Sequence, residues 1–443
     1  MPRMSDIKTA YNSALDYLYS FVDYSLKHSS ELAKADFNLD RMRALMVELG
    51  NPQDQYSIVH VAGTKGKGSV SALCASALQS AGYNVGLYTS PHLLDYCERI
   101  QVNGESVSHD ELVNLVELVK SAVARIPKLT TFEITTAIGL LYFSQQQVDA
   151  AVIEVGLGGR LDATNVVIPK VSIITSLSYD HMAVLGNTLA LIAGEKAGII
   201  KLGVPVVSAP QKDEALEVLV RIAKERNAPM TLVGRDVTFK PLNHSLDGQN
   251  LEITAQSWKL NITIPLLGAH QVENAATAYA ALKASELEIS DHDIQNGFAR
   301  VKWPARFEVV RREPPVIFDS AHNQDSFARL RQALDDYFPD KFVYLIFGAS
   351  EDKNIPGMFE EIKPKIKRMF VTKADHPRAL EPERIIELAR QAEVPNEAAD
   401  SVEAAFACAL DLSEKDGSIV LSAGSMFVTA EVMAVWKKLN MSL

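Results

Sequence analysis

Residues 61–69 read Val61-Ala62-Gly63-Thr64-Lys65-Gly66-Lys67-Gly68-Ser69, with three glycines and two lysines in nine positions. The run before them, Tyr56 to Val61, has the signature of a strand. From Lys67 onward Val70, Leu73, Cys74, Ala77, Leu78 and Ala81 recur at helical spacing, and Gly82 supplies the stop. A glycine turn between strand and helix offers backbone amides, backed by a helix N-terminus, to a phosphate. Lys67 would reach the outer phosphates of a nucleotide as a point charge. The strict pattern G-x-x-x-x-G-K-[ST] is not met, because Val61 stands at its first glycine and Gly68 at its hydroxyl position. Residues 63–69 are therefore a variant phosphate loop, and a magnesium role for Ser69 does not follow from the pattern.

A second set of residues stands out by position. Ligands of open α/β sheets bind beyond the carboxyl ends of the strands. Three polar groups sit at such ends: Ser90 after Val85–Tyr88, Glu154 near the end of 148–155, and His181 just past 171–175. A hydroxyl, a carboxylate and an imidazole beside a phosphate loop form a donor set for Mg²⁺, with nucleotide oxygens and water completing the shell. Separately each has an ordinary reading, since a loop histidine is more often structural and a strand-end glutamate is often merely solvated. Residues 156–165, GLGGRLDATN, follow Glu154; their glycines allow close backbone approach to a ligand, and Arg160 and Asp162 bring opposite charges. Spacing alone leaves that segment equally readable as a plain connection. Asp319-Ser320-Ala321-His322-Asn323 ends a later strand, where a carboxylate and an imidazole could contact a nucleotide or order a phosphate.

These residues need a scaffold of alternating strands and helices. Short buried strands are expected at 85–88, 148–155, 171–175 and 204–207, with helices near 109–125, 131–146, 188–200 and 212–227. Helices are also expected in the opening segment, around Ala10, Leu15, Leu18 and Phe21, and from an Asn38 cap to Gly50. That alternation implies an α/β fold built on a mostly parallel, doubly wound sheet. Residues 229–265 change to shorter strands with turns such as Asp247-Gly248, consistent with a small antiparallel flap on the sheet edge. An alanine-rich helix spans about 270–284. A second, smaller Rossmann-like α/β unit begins after Trp303-Pro304, with strands at 316–318, 342–347, 368–372 and 418–421. The reading divides the chain into 1–300 and 301–443, and the DSAHN motif would face the first domain across a cleft.

The chain has 443 residues, 47% apolar and 22% charged, the balance of a folded globular protein. Its formal net charge is −11, which argues against a broad basic face for nucleic acid. Cys74, Cys97 and Cys408 show no CxxC or metal-finger spacing and suit a reducing compartment. No signal-like h-region or membrane-length apolar run is visible, so a cytoplasmic protein without a membrane partner is expected.

Taken together the motifs resemble the folylpolyglutamate synthase/dihydrofolate synthase family, the folate branch of the Mur ligases. The match runs in order through NLDRMRALMVELGNP (38–52), GTKGKGS (63–69), TSPHL (89–93), EVGLGGRLDATN (154–165), DH (180–181), GEKAGI (194–199), HQVENA (270–275), WPARFE (303–308) and DSAHN (319–323). EVGLGGRLDATN after a GTKGKGS loop is the most specific piece. The resemblance implies an ATP-dependent amide ligase acting on L-glutamate and a reduced folate or dihydropteroate, as a monomer. It implies nucleotide contacts at Thr64, Lys65, Gly66, Lys67, Gly68 and Ser69, with Asn274, Arg306 and Asp319 closing on the nucleotide. It implies Mg²⁺ at Ser90, Glu154 and His181, and pterin-side contacts at Phe132, Glu133, Ile134, Thr135, Leu161, Asp162 and Ala163. Lys67, Lys196 and His322 would be the catalytic groups, with Lys196 carbamylated, a modification that requires a lowered amine pKa. Spacing alone favours an ordinary surface lysine for Lys196, beside Glu195. Gln324 stands where the family usually places proline after the DSAHN motif, which bears on that loop's shape.

Such ligases make an acyl phosphate first, because a carboxylate is a poor electrophile. A cell-wall ligase carrying an extra N-terminal domain is disfavoured, since only 62 residues precede Gly63. A P-loop kinase or ATPase is the rival of another class, and it would turn over ATP independently of glutamate. A non-catalytic nucleotide-binding regulator is disfavoured by the metal-type residues clustered at strand ends.

Overall fold

The computed structural model describes residues 4–23, 37–255 and 258–441. In chain order the first elements are α1 (Met4–Tyr19), α2 (Leu39–Glu48), β1 (Ser57–Ala62), α3 (Lys67–Ser80), β2 (Val85–Tyr88), β3 (Ile100–Val102) and β4 (Glu105–Ser106). There follow α4 (His109–Val123), α5 (Thr131–Gln145), β5 (Ala150–Glu154), β6 (Val171–Ile174), α6 (Met182–Leu185), α7 (Leu189–Lys196), β7 (Val206–Ser208), α8 (Asp213–Glu225) and β8 (Met230–Leu232). Local chemistry sets the helix starts. The Asn38 Oδ1 accepts the Asp40 amide at 2.7 Å. Ser108 with Glu111, and Thr130 with Glu133, form reciprocal capping boxes at the heads of α4 and α5.

These strands build an eight-stranded sheet in the order β4-β3-β2-β5-β1-β6-β7-β8. From β2 to β8 every neighbouring pair is parallel. β1, β2, β5, β6 and β7 are almost wholly buried, which explains why they read as continuous apolar runs rather than alternating ones. The sequence reading missed β3 and β4, an antiparallel pair on one edge. It also placed residues 230–232 in the flap, whereas β8 extends the parallel sheet beside β7. Three residues carry too little pattern to reveal their partner.

The flap itself is a three-stranded sheet of β9 (Val237–Ser245), β10 (Gly248–Ala255) and β11 (Trp258–Ile264), ordered β11-β10-β9. Only Leu246 and Asp247 join β9 to β10, a length that permits an antiparallel hairpin and no crossover. Helices α9 (Ala269–Ala284) and α10 (Asp291–Arg300) follow. α10, absent from the sequence reading, packs on α3 so closely that a Cβ at Gly297 would lie 2.4 Å from the Ala77 Cα.

By contacts the chain divides into two compact units, residues 1–240, 251–263 and 272–301 in one and 241–250, 264–271 and 302–443 in the other. The second contains β12 (Glu308–Arg312), β13 (Pro315–Phe318), α11 (Gln324–Tyr337), β14 (Val343–Phe347), α12 (Ile355–Ile362), β15 (Ile366–Val371) and α13 (Pro382–Gln391). It ends with β16 (Asn396–Ala398), α14 (Val402–Asp416), β17 (Ile419–Ala423) and α15 (Met426–Met441). Its six-stranded sheet runs β12-β13-β17-β14-β15-β16, parallel except for β12. The two edge strands, β12 and β16, are more exposed than the apolar centre, and the sequence reading missed both.

Candidate active site

Four adjacent parallel strands, β2, β5, β1 and β6, end side by side, and each delivers one of the singled-out segments. Ser90 follows β2, Glu154 ends β5, the glycine loop follows β1, and Asp180-His181 follow β6. At about 4.8 Å per strand, the tips of β2 and β6 stand about 14 Å apart. That span lies across the carboxyl edge, beside the point where the chain's direction of winding reverses around β1.

The glycine loop is shaped by close approach. A Cβ at Gly63 would fall 1.8 Å from the Thr175 Oγ1, and one at Gly66 would fall 2.2 Å from the Asn274 Oδ1. Gly66 also takes φ +88 as the residue capping α3. The amides of Thr64 and Lys65 both donate to the Ser176 carbonyl at 3.0 Å, and the Thr64 hydroxyl donates to the Ser178 carbonyl at 3.2 Å. This half of the loop is therefore tethered to the segment after β6. The amides of Lys67, Gly68 and Ser69, in the first turn of α3, have no acceptor one turn earlier in the helix and face the carboxyl edge of the sheet. Asn274, on α9, is buried against this turn and so joins the phosphate loop.

Charges converge on the loop from three strands. Lys67 Nζ lies 3.8 Å from the Glu154 Oε1, and Lys65 Nζ lies 3.5 Å from the Asp180 Oδ2. The Ser90 amide reaches the other Glu154 oxygen at 3.4 Å. Ser90 and Glu154 are thus brought together. His181 stands one strand beyond the loop, exposed, in a left-handed backbone conformation with φ 47.

The reading of Lys196 as a surface residue does not hold. Its side chain is buried, 5% exposed, and its Nζ donates to the Gly63 carbonyl at 2.8 Å. Burial first, then the nearby Lys67 charge, lower its pKa to about 7. Glu195, the presumed surface companion, turns instead to Arg160, at 2.9 Å.

The GLGGRLDATN segment is a built loop. Its backbone docks on the end of α7, with the Arg160 amide donating to the Glu195 carbonyl at 2.8 Å; a Cβ at Gly159 would fall 2.9 Å from the Glu195 and Lys196 carbonyls. Asp162 caps the turn Ala163–Val166, taking the Leu157 amide at 2.8 Å, the Thr164 amide at 3.0 Å and the Thr164 hydroxyl at 2.5 Å. Burial raises its pKa, an effect partly offset by these donors and by Lys67. Ala163 is buried and Leu161 half-buried.

Behind Asp162 lies a pair that the sequence reading missed. The Thr164 hydroxyl hydrogen goes to Asp162, so the buried His60 donates from Nε2 to the Thr164 Oγ1 at 2.9 Å. The signal was available: a histidine in the middle of the buried strand SIVHVA demands a polar partner.

The four residues of the Phe132–Thr135 segment part company. The Phe132 ring lies against Gly156, where a Cβ would fall 2.5 Å from its Cζ. Glu133 is occupied structurally, accepting the Thr130 amide at 2.8 Å and pairing with Arg41 at 3.2 Å. Ile134 is fully buried in the core with Leu112 and Ile138, and Thr135 bonds to the Thr131 carbonyl and the Tyr96 hydroxyl.

In the second unit Asp319 organises its own neighbourhood. One carboxylate oxygen accepts the Phe307 amide and the other the Ala321 amide, each at 2.7 Å. Phe307 is held by Asp319 at φ 49, and Ala305 by Glu308 and the Ser320 amide at φ 55, so a strained turn on either side of Arg306 sets the arginine's position. Burial raises the Asp319 pKa, opposed by the Ala321 amide and the Arg306 charge. His322 donates from Nδ1 to the Ser320 carbonyl at 2.8 Å, which leaves Nε2 as the basic nitrogen. Asn323 caps α11, so Gln324 occupies the first helical position, where a proline would fit equally well. The change from proline leaves the helix start intact.

Residues 61–282 match the model of the Mur ligase middle domain, and residues 305–426 match the Mur ligase glutamate ligase domain. The chain is 37% identical over 382 residues to the dihydrofolate synthase/folylpolyglutamate synthase of Bacillus subtilis, covering 84% of this chain and 87% of that one. It is 34% identical to the folylpolyglutamate synthase of Lacticaseibacillus casei, covering 95% and 97%. Among solved structures it resembles Mycobacterium tuberculosis folylpolyglutamate synthase complexed with ADP, with a TM-score of 0.88, 30% identity and 97% and 99% coverage. Escherichia coli FolC in complex with DHPP and ADP gives a TM-score of 0.85 at 32% identity, with 97% and 98% coverage. Among the described residues no helix is long and apolar enough to cross a membrane.

Proposed function

Because the chain belongs to the folylpolyglutamate synthase/dihydrofolate synthase family of Mur ligases, we propose that it joins L-glutamate to a folate-type carboxylate, using ATP and an acyl phosphate. The acceptor is dihydropteroate, tetrahydrofolate or both, and the enzyme works in the cytoplasm as a monomer. The observation that carries this reading is the row of strand tips in which the glycine loop, Glu154 and the buried Lys196 adjoin one another.

The nucleotide's outer phosphates take the amides of Gly66, Lys67, Gly68 and Ser69 and the Lys67 ammonium group, with Thr64, Lys65 and Asn274 shaping the loop around them. Arg306 and Asp319 are the further nucleotide contacts. A carboxylate oxygen of the folate substrate attacks the γ-phosphorus; a new P–O bond forms, the β–γ bond breaks and ADP departs. The glutamate α-amine then attacks the acyl carbon, a C–N bond forms, and the tetrahedral adduct expels inorganic phosphate. His322, with a basic Nε2, is suited to take the amine proton.

A Mg²⁺ ion fits the chemistry of Ser90, Glu154 and His181, because a buried carboxylate beside the phosphate loop offers hard oxygen to a hard ion. Bound there, it would neutralise charge on the phosphates. Lys196 is carbamylated in this reading: its neutral amine adds CO₂, releases a proton and becomes an anion. The lowered pKa of that amine supports the modification. Phe132, Leu161, Asp162 and Ala163 form the pterin side, with Glu133, Ile134 and Thr135 supporting the helix beneath.

The test is an assay of purified protein with Mg-ATP and glutamate, with dihydropteroate and tetrahydrofolate in separate reactions, reading ADP and product mass. Glutamate-dependent ADP release with a product heavier by one glutamyl unit is expected. ADP release that ignores glutamate would replace the ligase reading with that of a simple ATPase.

A further inference from the structure

We propose that Asp95, Cys97 and His109 form a binding site for a soft divalent cation, Zn²⁺ by its donor chemistry, in the turn that follows the Ser90 loop. Among the described residues, these three are the one set of His, Cys, Asp or Glu side chains whose ligand atoms all lie within 4.8 Å of one another. The site is separate from the Ser90, Glu154 and His181 set and does not depend on the ligase reading.

Each ligand is held by its own local structure. Asp95 caps the turn Tyr96–Arg99 in a reciprocal capping box with Glu98, and Cys97 lies within that turn. His109 is the first residue of α4, behind the Ser108 cap. The His109 ring stacks on Tyr11 of α1, with centroids 3.7 Å apart and planes 11° from parallel. Its Nε2 already points at the Asp95 Oδ2, 2.8 Å away. Outer groups that orient metal ligands in this manner are typical of built sites. The Tyr11 hydroxyl donates to the other Asp95 oxygen at 3.0 Å and lies 3.9 Å from the Cys97 Sγ, closing the ring of contacts.

The dimensions suit zinc. Tetrahedral Zn²⁺ with bonds of about 2.0–2.3 Å sets its ligand atoms about 3.3–3.6 Å apart. The His109–Asp95 pair need open by only about half an ångström, and the wider contacts close by about one. Cys97 is 3% exposed while Asp95 and His109 reach solvent, so an ion enters from the surface and meets a sheltered thiol, with water as the fourth ligand. On binding, the thiol proton leaves to solvent as the S–Zn bond forms.

A thiolate and an imidazole favour Zn²⁺ over Mg²⁺, which prefers oxygen ligands, so the site discriminates against the ion expected at the phosphates.

The test uses the full chain carrying Cys408→Ser, which removes the exposed thiol, in millimolar Mg²⁺. Co²⁺ serves as the spectroscopic probe. A near-ultraviolet sulfur-to-cobalt charge-transfer band is expected, abolished by Cys97→Ser and displaced by stoichiometric Zn²⁺. His109→Ala, with its fold checked by circular dichroism, should weaken Zn²⁺ binding by more than about tenfold in calorimetry. Zn²⁺ should also raise the melting temperature of the parent and not of His109→Ala. Absence of the band, or equal Zn²⁺ affinity in parent and His109→Ala, would overturn the proposal.

Discussion

The Lys196 ammonium group and the Gly63 carbonyl, 133 residues apart in the chain, are joined by a 2.8 Å hydrogen bond at the base of the glycine loop. The lysine is buried there, and its pKa falls to about 7 against an ordinary 10.5. Above about pH 7 the folded protein holds this amine neutral while the unfolded chain keeps it protonated up to about 10.5. The unfolded state then binds more protons, so stability attributable to Lys196 increases as pH rises through that window. Urea unfolding of wild type and Lys196→Met at pH 7.5 and 8.5, in CO₂-free buffer so that the amine is unmodified, checks this. The gap should move in favour of wild type by at most about 1.4 kcal/mol per pH unit, and a gap independent of pH would refute the assigned environment.

The same residue makes a chemical prediction. Lys196→Ala should lose most activity and regain part of it with added short carboxylic acids, which replace the carbamate's charge. Lys196→Arg should be slow without rescue. Full activity in both variants would return Lys196 to a packing role.

Lys67 is the one lysine at the head of α3, within 3.8 Å of Glu154. Lys67→Ala should lower kcat by about a hundredfold or more, as expected for removing charge stabilisation at a transferring phosphoryl group, with circular dichroism unchanged. Near-normal turnover would sink the phosphate-loop assignment.

Glu154→Ala should shift the Mg²⁺ concentration needed for half-maximal rate upward by about tenfold or more, since a carboxylate ligand is lost. Titration of activity against Mg²⁺ measures it, and an unmoved midpoint removes Glu154 from the metal set.

Thr164→Val breaks the chain from His60 to Asp162 while conserving volume. Two buried polar groups then lose a partner, which should cost about 1–3 kcal/mol in urea unfolding. Because Asp162 organises the loop beside Phe132, KM for the folate substrate should rise while KM for ATP stays. An equal rise in both would mean that the loop serves the nucleotide instead.

The glycine loop, the row of strand ends and the two-sheet α/β plan were legible in the residues alone. Parallel strands buried on both faces must be apolar throughout, and a turn facing phosphate must be rich in glycine, so both leave local patterns. Edge elements such as β3, β4, β8, β12 and β16 did not, because two to five residues at a half-exposed margin carry almost no periodicity. Gln324 was readable as a departure, but only the cap made by Asn323 decided that the helix starts normally. Side-chain fate lay further still from local pattern. Glu133 became a cap and a partner of Arg41, the Thr64 and Lys65 amides turned to Ser176, and Lys196 went inside rather than out. Each of those outcomes is set by a neighbour many residues distant, and burial acts on a charge only once the chain has closed around it.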